Sequence, residues 1–415
     1  MLPSRFPRSA ELHGVDADRD LASVERAAPR LSSMGDRTRV LYLARSGSLQ
    51  GGSQVQYRYL VEGLSGSPYE PIVLAPTAGD LRDTLAAAGI GTCVMPYPIW
   101  SRGELLRWRH RLWIERERAR RRLTAFAREQ APRLVHGDIA VAPYLTAISA
   151  TLGIPAVVHV RGAHGRGSAR RLGATRAAAV VAIGHHDRAQ LLASAIPAER
   201  ISVIADATDL ERFRPGRRSV LRQEDPSIAD DDVLFGIVGR IEPFKGQLDF
   251  LRAAAAVLRA GRPARFFVIG ARNPNWSWYV RRVRAFAAAR GIERRVTLTG
   301  PRNDMERVMP SLDVLVTLSG GSVMLEAMAC AVPVVTASAR APASLRIVRD
   351  GESGRVVPAG DRGALVGAMI ELCDDADRRR RLGAEGRRRA EALYGRERLV
   401  AETVRLYDAL LGRVA

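Results

Sequence analysis

"VLFGIVGRIEPFKGQLDFLRAAAAVLRAG", residues 233–261, reads as a strand, a loop and a helix in succession. The run from Val233 to Ile241 is continuously apolar apart from its glycines and Arg240, as a strand buried on both faces of a parallel sheet must be. Glu242, Pro243 and Phe244 break it. From Gln247 onward Leu248, Leu251, Ala255 and Leu258 recur on one helical face, and Gly261 with Pro263 ends the helix. A strand feeding a helix through a short loop is half of a βαβ unit, so the segment predicts an open parallel sheet with helical crossovers.

The same rhythm extends in both directions. Before it stand seven strand candidates, at 39–44, 71–75, 92–95, 133–137, 155–160, 179–183 and 201–205. Residues 209–232 then form a polar stretch carrying Pro215 and Pro226, which reads as an interdomain linker. Six more candidates follow, at 233–241, 265–271, 295–300, 313–318, 333–337 and 354–358. The expected fold class is therefore α/β, with two doubly wound, Rossmann-like parallel-sheet domains facing across a cleft. Expected boundaries are a loosely packed tail at 1–37, a first domain at 38–212, a second at 213–395 and a last segment at 396–415.

Composition narrows the function. The 415 residues, 47% of them hydrophobic, suffice for two ordinary cores. Cys93, Cys330 and Cys373 lie far apart with no metal-binding spacing, which points to a reducing, cytoplasmic setting. No run approaches the roughly 18–20 apolar residues of a membrane span, and the N-terminus lacks the apolar core of a secretory signal. The formal charge of +20 invites anionic partners, but the arginines are spread along the chain, aromatics are only 6%, and no nucleic-acid-binding motif is present. No nucleic acid is expected.

Of the 64 basic side chains one is a lysine, Lys245, in the loop of the opening segment. An ammonium is a compact point charge that reaches between phosphate oxygens, whereas a guanidinium suits planar two-point acceptors. With Arg240 at the strand end and a helix starting at Gln247, the loop reads as an anion site. A solvated lysine is the competing reading. A second constellation is "LSGGSVMLEAMACAVPVVT", 318–336. Gly320 and Gly321 allow backbone to approach a ligand, Ser322 is placed to cap a short helix, and Glu326 is a carboxylate on an otherwise apolar helix. Buried, it needs a partner, either an arginine, a backbone group or the hydroxyls of a ligand.

"VGRIEPFKG" (238–246), "LEAMACAVPVV" (325–335) and "DGESGRVVPAGD" (350–361) together resemble the C-terminal half of glycosyltransferase family 4, retaining enzymes of the GT-B fold. "GGSQVQYRYLVEGL" (51–64), "RLVHGD" (133–138) and "ISVIADATDLERFRP" (201–215) resemble its N-terminal half. The resemblance implies a UDP- or GDP-linked sugar as co-substrate, no further cofactor and no metal, with a glycan, lipid-linked or small-molecule acceptor, as in cell-envelope polysaccharide synthesis. It implies that Arg240 and Lys245 bind the diphosphate, that Glu326 bonds the ribose, and that Gly51, Gly52, Gly320, Gly321, Ser322 and Val323 offer backbone to the donor. It also implies a last helix crossing back to the first domain. Asp138 and Arg161 then stand as further catalytic candidates, with His136 and His159 on the acceptor side.

Four positions depart from the family pattern. Leu318 replaces a glutamate eight positions before Glu326; His136 and Asp138 stand where an H-x-H pattern is common, and Arg161 where a histidine is; Asp206 stands where an asparagine is common. The missing glutamate keeps open a catalytically silent nucleotide-binding homologue acting as a partner scaffold, and an epimerase on the same fold is a third reading. Asp16, Asp18, Asp375 and Asp377 form D-x-D triplets outside post-strand loops, and His185 with His186 reads as a helix entry, so neither argues for a metal. Residues 101–123 carry nine arginines with Leu105, Trp108 and Leu112 on one face. That pattern suits either a crossover helix with a charged outer face or a peripheral contact with anionic lipid at the inner face of the cytoplasmic membrane.

Overall fold

The structure is a computed structural model that describes residues 37–49, 51–99, 109–161, 168–216, 219–338 and 347–413. The expected tail, with Asp16 and Asp18, therefore lies outside the described residues. The first sheet comprises β1 (Thr38–Leu43), β2 (Tyr69–Ala75), β3 (Gly91–Val94), β4 (Leu134–Asp138), β5 (Ala156–Val160), β6 (Ala179–Ala182) and β7 (Ile201–Val203), in the order β3-β2-β1-β4-β5-β6-β7. The second comprises β8 (Val233–Val238), β9 (Ala264–Ile269), β10 (Val296–Gly300), β11 (Val314–Thr317), β12 (Val334–Ala337) and β13 (Gly354–Val357), in the order β10-β9-β8-β11-β12-β13. Every pairing is parallel. The two doubly wound sheets expected from the strand rhythm are both present.

Helices alternate with the strands: α1 (Gly52–Gly63), α2 (Asp80–Ala87), α3 (Arg109–Gln130), α4 (Ala142–Leu152) and α5 (His185–Leu192) in the first half. In the second half come α6 (Gln247–Arg259), α7 (Ser277–Ala289), α8 (Val323–Ala329), α9 (Arg362–Asp374), α10 (Ala376–Leu393) and α11 (Arg396–Leu410). The strand β8 shows why its sequence is continuously apolar. Val233, Phe235 and Ile237 pack on one side with α6, α7 and α9, while Leu234 packs on the other with α8. Successive side chains of a strand point to opposite faces, and here both faces are covered.

One expectation fails at the linker. Phe213, Val220, Leu221 and Ile228 are buried in the core on the α8 side of the second sheet, and Val220–Glu224 forms a helical turn capped by the Ser219 hydroxyl. Its charged residues conceal four apolar anchors, so the segment is a packed part of the second half rather than a spacer.

The last helix, α11, leaves the second sheet and joins the first. Leu399 and Tyr407 are fully buried in the core around β1 and α1. A Cβ on Gly63 of α1 would stand 2.2 Å from Val400 Cγ2, so this glycine lets the two helices touch. Tyr407 binds Tyr42 of β1 through their hydroxyls, and its hydroxyl lies 2.6 Å from His136 Nδ1 of β4.

In each sheet the strand order reverses direction at one place, between β1 and β4 in the first and between β8 and β11 in the second. Loops leaving the carboxyl ends of strands at such a reversal diverge and open a crevice, where ligands of doubly wound folds bind.

Candidate active site

The second crevice holds both constellations singled out in the sequence. After β8, Pro243–Lys245 makes a tight turn, and Gly246, at φ 84°, enters α6. The stem of Lys245 folds back over Gly239, whose Cβ would lie 3.6 Å from Lys245 Cδ. The ammonium is half-buried, and burial holds its pKa below that of a free lysine, with the Glu242 charge opposing this and Arg240 reinforcing it. Arg240 is exposed and forms an ion pair with Glu242, Nε to Oε1 at 3.0 Å. The first turn of α6 is not wholly open, because the Leu248 amide donates to the Tyr279 hydroxyl at 3.1 Å.

After β11 comes the glycine turn, with Gly320 at φ 66° and Gly321 at φ 116°, both values that a side chain would strain. Ser322 precedes α8 but its hydroxyl makes no cap, contrary to the expectation from sequence. The two loops meet. A Cβ on Gly246 would stand 2.9 Å from both Leu318 Cβ and Leu318 Cδ1, so Leu318, 5% exposed, packs directly on the glycine that follows Lys245.

Glu326 is the group least explained by the protein alone. Among the described residues its carboxylate has no hydrogen bond and no ion pair, although it is only partly exposed on a helix whose other side chains are largely buried. Burial raises its pKa to about 7, against the pull of Arg212, which itself pairs with Glu306 at 2.8 Å. It faces the first half of the chain: Tyr59 of α1 is pushed up to about 12 by burial and next by the Glu326 charge.

The first crevice lies opposite. Gly51, at φ 131°, caps α1, and a Cβ on Gly52 would stand 2.7 Å from Ser322 Oγ, so the two glycine turns touch across the cleft. Asp138, at the end of β4, accepts a hydrogen bond from the Ala140 amide at 2.9 Å. Arg161, after β5, donates Nε to Asp206 Oδ1 at 3.0 Å, while its Nη2 is buried with no partner among the described residues.

His136 and His159 sit differently from an exposed acceptor face. Each is 2% exposed, and the rings stack at 5.6 Å. Burial, followed by the Arg161 charge, drives the His136 pKa down to about 3 and that of His159 well below the ordinary imidazole value, so both stay neutral at ordinary pH. Both nitrogens of His159 lack a partner among the described residues.

Elsewhere, Asp375 caps α10 through the Arg378 amide and Asp377 pairs with Arg380. His186 lies against Gln190, Nε2 to Nε2 at 2.8 Å. No group of three or more His, Cys, Asp or Glu among the described residues is arranged to hold a metal ion. None of the described helices is long and apolar enough to cross a membrane. In α3, Ala119, Leu123, Phe126 and Ala127 are buried as in a crossover helix, but Trp113 and Ile114 are 68% and 46% exposed beside arginines. Of the apolar face expected from Leu105, Trp108 and Leu112, Leu105 and Trp108 lie outside the described residues and Leu112 falls in the first turn of α3.

Reasoning from sequence missed Glu242, Asn273, Gln247, Tyr59 and Arg212. Glu242 alone left a trace, as a carboxylate two positions from one cation and three from the other.

Residues 50–212 match the family described as Glycosyltransferase Family 4, and residues 232–375 match Glycosyl transferases group 1. The D-inositol 3-phosphate glycosyltransferase of Nocardia farcinica is 33% identical over 195 residues, 45% of this chain and 42% of that protein. The chain thus spans less than half the length of that relative. The alpha-D-kanosaminyltransferase of Streptomyces kanamyceticus is 30% identical over 312 residues, 68% of this chain and 76% of that protein. Among solved structures, Anabaena Alr3699/HepE in complex with UDP and glucose superimposes with a TM-score of 0.76 at 19% identity, covering 90% of this chain and 100% of that one. Sucrose-phosphate synthase from Thermosynechococcus elongatus gives 0.72 at 20% identity, covering 91% and 100%. Identities this low establish a shared fold alone.

Proposed function

The chain belongs to glycosyltransferase family 4 and has the GT-B fold, and from that premise we propose that it moves a sugar from a UDP- or GDP-linked donor to a hydroxyl acceptor with retention of anomeric configuration. The observation that carries the reading is the meeting of the Lys245 loop and the glycine turn at one sheet reversal, with Glu326, unpaired among the described residues, on the helix that the turn enters. Support for a nucleotide-sugar donor comes from HepE, whose crystals hold UDP, glucose or UDP-glucose. The Nocardia relative, named for D-inositol 3-phosphate, supports a small hydroxylated acceptor, alongside glycan and lipid-linked ones.

In the proposed reaction the bond from the anomeric carbon to the diphosphate oxygen breaks and negative charge grows on the departing diphosphate. Arg240 and Lys245 stabilise that charge, an effect strengthened by the partial burial of the ammonium. The acceptor oxygen bonds to the anomeric carbon on the face the diphosphate leaves, and its proton passes to the leaving phosphate. No protein nucleophile, metal or separate cofactor enters the scheme. Glu326 takes the ribose hydroxyls, and the backbone of Gly51, Gly52, Gly320, Gly321, Ser322 and Val323 approaches the donor. Asp138 and Arg161 border the acceptor side.

Two further features belong to the proposal. The setting is cytoplasmic, and exposed Trp113 and Ile114 beside arginines favour peripheral contact with anionic lipid through 101–123. Vesicle pelleting at rising salt tests this: no pelleting at low salt removes it. Leu318 favours a second reading, a silent nucleotide-binding homologue acting as a scaffold, because a packed leucine cannot accept a sugar hydroxyl. An epimerase would want acid and base groups at the sugar, and the buried, neutral His136 and His159 argue against it.

The deciding experiment incubates the protein with UDP-, GDP- and ADP-sugars in chelator, with and without cell extract as acceptor source. Nucleotide release that depends on extract is the expected result. Tight nucleotide binding without turnover favours the silent form, and an isomerised donor the epimerase.

A further inference from the structure

Arg240 is the weak point of the proposed clamp on the diphosphate. Its side chain is 57% exposed, and a long exposed guanidinium spends most of its time in other rotamers unless something holds it. Glu242 is what holds it. That carboxylate is 1% exposed, takes Arg240 Nε on Oε1 at 3.0 Å and accepts on the same oxygen from Asn273 Nδ2, in the loop after β9, at 2.7 Å. Its other oxygen is buried without a partner among the described residues. Next to it Gln247, also 1% exposed, donates Nε2 to the Arg240 carbonyl at 3.0 Å.

A buried carboxylate with only half its acceptor capacity used is costly to keep. If it served the fold alone, a neutral amide of the same shape would do as well. We propose that Glu242 is a positioning residue for the diphosphate site: anchored by Asn273, it engages the Arg240 Nε and turns the paired Nη groups toward the ligand, as a supporting group orients a binding group. This inference rests on the nucleotide reading of the Lys245 loop.

The test is a double-mutant cycle read by titration calorimetry with UDP and GDP on the full chain. Arg240→Ala is expected to weaken the better nucleotide about tenfold or more, and Glu242→Gln about threefold to tenfold. In the Arg240→Ala background Glu242→Gln should add less than about twofold, because its effect runs through the missing guanidinium. Asn273→Ala should behave as Glu242→Gln does, more weakly, and the melting temperature of Glu242→Gln should be unchanged or higher.

An equal loss in both backgrounds would make Glu242 a general support of the loop and overturn the proposal. Tighter binding in Glu242→Gln would make it a competitor of phosphate for Arg240 and overturn it too. If Lys245→Ala weakens binding while Glu242→Gln has no effect, this inference alone falls. If neither nucleotide binds the wild type, the reading of the site falls with it.

Discussion

Glu326 costs the folded protein stability wherever its carboxyl is ionised. An ordinary glutamate has a pKa of 4.5, and burial raises this one to about 7. The folded value lies above the unfolded one, so its contribution is most favourable below pH 4.5 and is lost as pH rises through 7. At pH 8 the penalty is about 2 kcal/mol, somewhat less than the full shift implies because the carboxylate keeps some contact with water. Glu326→Gln should therefore raise the melting temperature at pH 8, leave it nearly unchanged at pH 5, and weaken nucleotide binding at pH 8 far more than at pH 5. Nucleotide affinity of the wild type should tighten between pH 6 and pH 8, since ribose hydroxyls donate best to the ionised form. Calorimetric scans and titrations across that range check both statements. The sequence made Glu326 conspicuous because it is charged among apolar neighbours, but could not reveal that no arginine among the described residues forms an ion pair with it.

Among elements, the strands were the most legible. All thirteen lie where the strand candidates put them, and the central ones such as β8 are apolar throughout because a parallel strand covered on both faces must be. The stretch 209–232 was not legible, since burial of Phe213, Val220, Leu221 and Ile228 depends on a sheet surface that no local pattern encodes. The Lys245 turn was legible as a break but not as a contact. Its meeting with Leu318 is a tertiary fact, and it makes Gly246 doubly constrained by a φ of 84° and by a neighbour at 2.9 Å. Gly246→Ala should cost about 1–3 kcal/mol, measured by denaturant unfolding, and should weaken nucleotide binding as the turn shifts. An unchanged midpoint would mean that the turn is less confined than the packing of Leu318 indicates.

For the whole molecule, closure of the chain on itself rests on contacts between its ends. Tyr407 of α11 joins Tyr42 and His136, partners 365 and 271 residues away, and the Tyr69 hydroxyl donates to Asp408 at 2.5 Å. Separations of that size leave no signature in the sequence, although the helix itself was visible as an amphipathic segment. Tyr407→Phe would leave two buried polar groups short of a partner, and should lower stability by about 1–3 kcal/mol with little effect on nucleotide affinity. Thermal unfolding followed beside titration separates the two effects. The site was legible to the extent that it lies on post-strand loops at the two sheet reversals, as topology requires. What stayed hidden was the set of polar contacts that Glu242, Asn273 and Gln247 make around Arg240, since Asn273 reaches Glu242 only through the fold.

The proposed reaction depends above all on Lys245 holding a diphosphate in this crevice. Titration of UDP and GDP into wild type and Lys245→Ala tests it most directly. At least one nucleotide should bind the wild type, and the variant, with an unchanged melting temperature, should bind it about tenfold to a hundredfold more weakly. Equal affinity for the two proteins would contradict the account.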